Sequence, residues 1–317
     1  MNETSYNRLT PLMALRLAAP HTWPGPSILT AVLGGLLAIA FGYSFSPVIW
    51  AMLLFAVILM QSSVNTLNDW ADYRKGTDTV ENSDDPTDAV LVYEHPNPKH
   101  VLILGIAYMA VAFVLGIACI VWGGSFLPLV FAIVGALVIV AYSSGKLPIS
   151  YLPLGEIVSG VVMGCLIPLA IVCIFSSKSG SFVPWGMAIC STIPFVIGIG
   201  MVMATQNNCD IERDTAAGRH TLPIVLGHGL SVIVYKVFLI IWMAVVACLV
   251  LVFFRGGVWV LPVMLVFSLP TIKGLLETTL TPDVRGNSMG LINKANLFFN
   301  GAFLIAIAVS QIPITLA

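Results

Sequence analysis

AMLLFAVILMQSSVNTLNDWADYRKGTD, residues 51–78, runs from an unbroken apolar stretch into three aspartates and two basic residues. The first ten residues read as membrane-spanning helix. The last fourteen crowd charge into one patch at its end. Such a boundary is rare in this chain, because only 9% of its 317 residues are charged while 58% are hydrophobic. A soluble chain carries roughly a quarter charged residues. Mean hydropathy is +0.97. The chain therefore reads as an integral membrane protein, all-α, with the lipid bilayer as its surroundings.

Nine apolar segments are expected to cross: 26–45, 47–67, 100–122, 126–142, 155–176, 184–205, 233–254, 258–278 and 297–315. Each is near the ~20 residues that a crossing helix needs. Buried backbone in lipid must satisfy itself, so a helical bundle with a central apolar cavity follows. The whole chain, 1–317, is expected to form one domain. Residues 1–25 would be a surface segment, with 8–20 a short amphipathic helix lying on the membrane. A net charge of −1 argues against a nucleic-acid partner. The six cysteines are scattered without metal or disulfide spacing, and read as core residues.

Basic residues set the orientation. With a cytoplasmic N-terminus, that side carries Arg8, Arg16, Arg74, Lys75, Lys99, Lys146, Arg213, Arg219, Lys236, Lys273, Arg285 and Lys294. The opposite side carries Lys178 and Arg255. The expected site is thus a multi-pass protein of the cell (inner) membrane. Two long loops, 69–99 and 206–232, both fall on the cytoplasmic face.

Each loop opens on a helix end rich in amides and acids. Asn65, Asn68, Asp69 and Asp72 are spaced i, i+3, i+4, i+7, one helical face. Gly76 reads as the C-cap after Arg74 and Lys75, with Asp78 beyond. Asn207, Asp210 and Asp214 repeat the pattern at i, i+3, i+7. The two clusters lie four spans apart, which suggests parallel halves plus a ninth helix. Facing carboxylates repel unless a cation intervenes. Mg²⁺ takes one or two carboxylates and completes its shell with water and substrate phosphates. The clusters therefore read as a Mg²⁺–diphosphate site, with Arg74, Lys75, Lys146, Arg213 and Arg219 as phosphate contacts. At the mouth of an apolar bundle, the ligand is an ester with a greasy tail. For one cluster alone, a solvated acidic rim is the simpler reading; two same-side clusters preceded by amides outweigh it.

Three longer stretches carry a resemblance. N65-TL-N68-D69-WA-D72-YRK-G76-T-D78 resembles the first aspartate motif of the UbiA superfamily of intramembrane prenyltransferases. NNCDIERDTAAGRHTLPIVLG (207–227) is similar to the second motif of the branch that prenylates 1,4-dihydroxy-2-naphthoate for menaquinone. YSSGKLPISYLPLGE (142–156) resembles that branch's third motif, and LRLAAPHTWPGPSILTAVLGG (15–35) its lead into the first helix. The resemblance implies Mg²⁺-dependent transfer of a polyprenyl group from its diphosphate to an aromatic acid. Two Mg²⁺ would bridge the diphosphate: Asp69 and Asp72 would hold one, Asp210 and Asp214 the other. Asp78 is a further metal candidate, and Asn65, Asn68 and Asn207 would ligate or orient. Lys146 would meet the diphosphate or the acceptor's carboxylate. Glu156 and Tyr142 would line the acceptor site, and Arg16 would add a substrate contact. Tyr151 reads as an interface aromatic.

This sequence departs from the branch in the acidic run after Asp78, in Lys146, and in Arg219–His220. The acceptor therefore stays open between 1,4-dihydroxy-2-naphthoate and 4-hydroxybenzoate or another aromatic, with an intramembrane terpene cyclase as a further option. An ion-coupled transporter is the reading from a different class. Its acids would sit at mid-span rather than at one face.

Overall fold

The structure, a computed structural model, describes residues 6–76, 78–80, 89–143 and 148–311. Every described regular element is helical: α1 Pro11–Leu17, α2 Thr30–Ala40, α3 Pro47–Lys75, α4 Val90–Tyr93, α5 Pro98–Gly123, α6 Leu127–Ser143, α7 Gly155–Val161, α8 Ile167–Ser179, α9 Trp185–Cys209, α10 Ile211–Ala216, α11 Leu222–Leu226, α12 His228–Phe253, α13 Val260–Glu277 and α14 Arg285–Ser310. π-helical turns Pro24–Leu29 and Val162–Leu166 lead into α2 and join α7 to α8.

Local chemistry explains the boundaries. Pro47 and Pro98 open α3 and α5, where a missing N–H costs nothing. Ser46 and Asn97 cap those helices through side-chain oxygens. Gly76 and Gly124 close them in the left-handed conformation, at φ 75° and 77°.

The expected spans fall on helical stretches of the described residues, but the number of crossings does not reach the expected nine. Among the described residues, seven helical stretches are long and apolar enough to cross a membrane, and an eighth if the bent pair Pro11–Thr22 and Pro24–Ala40 counts as one. That pair bends by 64°, so α1 turns away from the axis of α2. The helix α6 has only 17 residues. The last helix starts at Arg285, twelve residues before the expected span at 297. Large apolar side chains such as Ile103, Val114, Val121 and Phe126 are exposed, as expected of surfaces that face lipid.

The core gathers around α9, which packs on α7, α12 and α14, while α3 lies along α5. Trp242, Phe195, Phe299 and Phe303 are fully buried there. A polar thread crosses it. Asn296 Nδ2 donates to Gly198 O (3.0 Å), Asn300 Nδ2 to Asn296 Oδ1 (3.2 Å), and Trp242 Nε1 to Asn300 Oδ1 (3.3 Å). These bonds satisfy the amides, so Asn296 braces the helices.

A second, smaller core joins Met13 and Leu17 of α1 to Val90, Leu91 and Val101, with Trp70 and Tyr73 of α3 packed on it. Trp70 and Tyr73 flank the aspartates of the first motif. The clamp on α1 thus also fixes the end of α3.

Glycines allow α7 to press on α9. A Cβ at Gly160 would stand 2.5 Å from Val196 O, and one at Gly164 2.5 Å from Val196 N. Backbone cannot yield there as a side chain can. Gly164→Ala should therefore destabilise by about 1–3 kcal/mol, the usual range for overpacking. Gly301→Ala, which meets nothing within 4 Å, should not. Thermal unfolding of both variants in micelles checks this; equal Tm values would contradict the close approach.

Candidate functional site

The first motif lies on the last turns of α3, as its spacing predicts. Asn65 Nδ2 donates to Ala18 O (3.1 Å) and Thr22 Oγ1 (3.0 Å), and its Oδ1 accepts from Gln61 Nε2 (3.2 Å). Its amide braces the bend before α2, where Ala19 holds the left-handed φ of 47°. Asn65 is thus a support for the site in this structure. Asn68 and Asp69 follow it, half-buried, on the way to Asp72.

The second motif does not continue α9 as one helix. The helix ends at Cys209, Asp210 takes φ −103° and ψ 15°, and α10 begins at Ile211. Asp214 N still donates to Asp210 O (2.8 Å), so the two acids stay one turn apart. The break separates Asn207, on α9, from Asp210 and Asp214 beyond it.

Arginines tie the two motifs together. Arg219 lies 3.2 Å from Asp214 Oδ1 and 3.8 Å from Asp72 Oδ2. Arg213 Nη2 donates to Asp78 Oδ1 at 3.0 Å. Arg285 Nε, from the start of α14, donates to Asp210 Oδ1 at 2.9 Å. Four carboxylates from both motifs thus each meet a guanidinium. The Tyr151 ring sits under two cations, with Arg219 at 5.3 Å and Lys75 Nζ at 5.8 Å from its centroid. Its carbonyl accepts from His220 N at 2.8 Å. Tyr151 therefore joins the third stretch to both aspartate motifs, a role beyond that of an interface aromatic. Glu156, buried at the start of α7, accepts from Asn207 Nδ2 at 2.8 Å. Tyr142 places its hydroxyl 3.5 Å from where a Cβ on Gly155 would lie.

Other expected contacts fall elsewhere. Arg16 pairs with Glu94, locking α1 to the segment after α4. Arg74 is exposed at the end of α3. Lys146 and the acids Asp84, Asp85 and Asp88 lie outside the described residues. Arg285 and Tyr151 belong with the site and were not among the expected residues. Arg285 counted only toward the charge bias, because nothing local in TPDVRGN ties it to an acid 75 residues away.

The donors suit a hard cation. Among the described residues, no three acids, histidines or cysteines form a ready cage. Mg²⁺ does not need one, because phosphates and water complete its shell. Carboxylates of both motifs already converge on one cation, the Arg219 guanidinium. Burial pushes Asp214 up to about 6, against the pull of Arg219. Burial and the Asp72 charge also raise Asp78, against Arg213 and Arg219. Burial outweighs their arginines at these acids, and a bound cation would favour their charged form.

Below the first motif lies an apolar cavity of about 180 Å³, walled by α3, α5, α6, α8 and the π turn Val162–Leu166. Among the described residues, Ser27 and Gln61 are the polar side chains that line it. Gln61 and Val64 place its upper end about one turn from Asn65 and Asn68.

The Asp214 shift has a signed consequence. Its folded value of about 6 exceeds the ordinary carboxylate value of about 3.9. Between those values the folded chain keeps a proton that the unfolded chain has lost, so its stability falls as pH rises. The contribution is fully present below about pH 4 and gone above about pH 6. In chelator, the Tm of wild type relative to Asp214→Asn should fall across that window. A constant gap would contradict the assigned shift.

The UbiA prenyltransferase family model matches residues 27–285. A 1,4-dihydroxy-2-naphthoate octaprenyltransferase from Bacillus subtilis (strain 168) is 31% identical over 213 residues, covering 67% of this chain and 65% of that protein. UbiA prenyltransferase domain-containing protein 1 from Danio rerio is 28% identical, over 72% of this chain and 66% of its own length. The chain thus spans slightly less than two thirds of these curated relatives. The apo UbiA homologue from Aeropyrum pernix K1 shares the fold with a TM-score of 0.63 at 14% identity, over 88% of this chain and 97% of its own. A UbiA homologue from Archaeoglobus fulgidus bound to GPP and Mg²⁺ gives 0.57 at 16% identity, over 93% and 99%. With the family model covering most of its length, and both aspartate motifs meeting at one end of a helical bundle, the chain belongs to the UbiA prenyltransferase family.

Proposed function

We propose that this protein transfers a polyprenyl group from its diphosphate to an aromatic acid, 1,4-dihydroxy-2-naphthoate, at the joined aspartate motifs. One observation carries the reading: Arg219 touches both Asp72 and Asp214, so acids from both motifs address one point. Asp69, Asp72 and Asp78, with Asn68, would hold one Mg²⁺, and Asp210 and Asp214 a second. Bound Mg²⁺ supplies charge neutralisation and Lewis acidity to the leaving diphosphate. Arg213, Arg219 and Arg285 then contact phosphate oxygens as their carboxylates gain other partners. Lys75 adds a point charge beside Tyr151, and Lys146 is the proposed partner of the acceptor's carboxylate. The cavity below holds the first isoprene units and excludes water from the reacting carbon. The allylic C–O bond breaks, the ring carbon bearing the carboxylate forms the new C–C bond, and CO₂ leaves its electron pair to the ring. The name of the Bacillus subtilis relative supports the naphthoate over 4-hydroxybenzoate. A transporter is disfavoured because the acids sit in the last turns of α3 and beyond α9, not at mid-helix.

The membrane placement belongs to the same reading. Basic residues put the N-terminus and both motifs on the cytoplasmic side. Cysteines introduced at Thr79 and Thr215 in a cysteine-free background should label from that side only. Label reaching either from outside would overturn the topology.

The reaction is tested with purified protein, Mg²⁺, a panel of prenyl diphosphates and candidate aromatic acids. Asp72→Asn and Asp214→Asn should each lower turnover by at least about 100-fold, with folding kept, because they remove charge that acts in the transition state. Near-wild-type turnover in either would refute the paired site. The product mass should lack one CO₂ relative to its parts. Retention of the carboxylate would assign the benzoate-type reaction instead.

A further inference from the structure

Buried polar atoms without partners are uncommon, and each asks for a reason. Five such side-chain atoms occur among the described residues. Four belong to Glu156, Asn208, Arg219 and Thr221, which lie on the second motif or are bonded to it. Among these, Glu156 is the one carboxylate. It is 7% exposed; Oε1 accepts from Asn207 and Oε2 has no partner. The N-terminus of α7 favours an acid there. That accounts for the charge, but an exposed acid would serve the helix as well. Burying the group and leaving one oxygen bare is costly.

The residue that carries the orphan oxygen is held from α9 at its backbone and at its other oxygen. The Glu156 carbonyl lies against α9, where a Cβ on Gly200 would come within 3.2 Å. Asn207 fixes the carboxylate from the same helix. Two turns further along, Val162 and Met163 line the apolar cavity. Glu156 is thus bonded to the second aspartate motif and lies about two turns from residues that line the apolar cavity.

We infer that Glu156 Oε2 accepts a hydrogen bond from the acceptor's ring hydroxyl on the side away from its carboxylate, and so selects dihydroxy over monohydroxy aromatic acids. The inference rests on the naphthoate reading above. A buried carboxylate repels another carboxylate and needs a donor on a flat, apolar body. In 1,4-dihydroxy-2-naphthoate, the 1-hydroxyl is next to the carboxylate and bonds to it internally. The 4-hydroxyl is the free donor. Seated on Glu156, it turns the carboxylate toward the basic residues of the mouth. A site that hydrogen-bonds a substrate hydroxyl rejects the analogue that lacks it, because the site's own polar group is then stranded.

The test compares two probes on the full chain in micelles. One is 1,4-dihydroxy-2-naphthoate under reducing conditions; the other, 1-hydroxy-2-naphthoate, lacks only the 4-hydroxyl. Binding is followed by naphthoate fluorescence without prenyl diphosphate, and KM for the prenyl diphosphate is measured separately. Wild type should prefer the dihydroxy probe by about tenfold, or about 1.4 kcal/mol. Glu156→Ala should cut that preference to about twofold or less while the prenyl diphosphate KM stays within about twofold. Should the alanine variant not fold, the isosteric Glu156→Gln serves, with at least about a threefold loss of preference expected. A preference that survives in the variants overturns the inference, as does equal weakening of both probes. If neither probe binds wild type, the naphthoate reading itself fails; binding of both without discrimination leaves that reading standing and removes only the role of Glu156.

Discussion

The contact of Arg219 with Asp72 and Asp214 is the constraint around which the site is built. The two acids come from helices far apart in the chain, and each is poorly solvated. Carboxylates brought to one point repel one another unless a cation lies between them. Arg219 supplies that cation, while its own ring contact with Tyr151 fixes the guanidinium plane. Arg213 on Asp78 and Arg285 on Asp210 repeat the arrangement at the flanks. Three arginines thus balance the charge of four carboxylates drawn from both motifs.

Packing delivers those side chains to one place. Gly160 on α7 and Gly164 on the π turn after it let this stretch lie against α9, which sets Glu156 beside Asn207. The small core of Met13, Leu17, Val90 and Leu91 clamps the outer face of α3 and carries Trp70 and Tyr73 with it. Asn65 adds a polar brace from α3 to the bend before α2. The end of α3 is thereby fixed from two sides, with the acids on its remaining face. The cavity begins one turn further down, so the aspartates and the apolar cavity share one helix.

Much of this was legible in local sequence. The helical spacing of Asn65, Asn68, Asp69 and Asp72, and the left-handed cap at Gly76, depend on near neighbours and could be read directly. So could the spans, because lipid imposes the same hydropathy on every crossing helix. What depends on distant contacts was not legible. The turn at Asp210 interrupts a pattern whose periodicity runs straight through it. Arg16 looks like a substrate contact until Glu94 is seen to hold it. Arg285 and Tyr151 carry no local signal, since their partners are 75 and 68 residues away at Asp210 and Arg219. The start of α14 at Arg285 was hidden by polar residues, RGNSMGLINKAN, whose buried members Ser288 and Asn296 find partners only in the folded bundle.

On the proposed reading, the two aspartate motifs act as one site. Coupling measured across a double-mutant cycle addresses it most directly. A non-reacting geranyl thiolodiphosphate would be titrated, with and without Mg²⁺, into wild type, Asp72→Asn, Asp214→Asn and the double variant. A single shared site predicts that either substitution removes most of the Mg²⁺-dependent affinity and that the second adds little. Strictly additive losses, each removing an independent share, would contradict it.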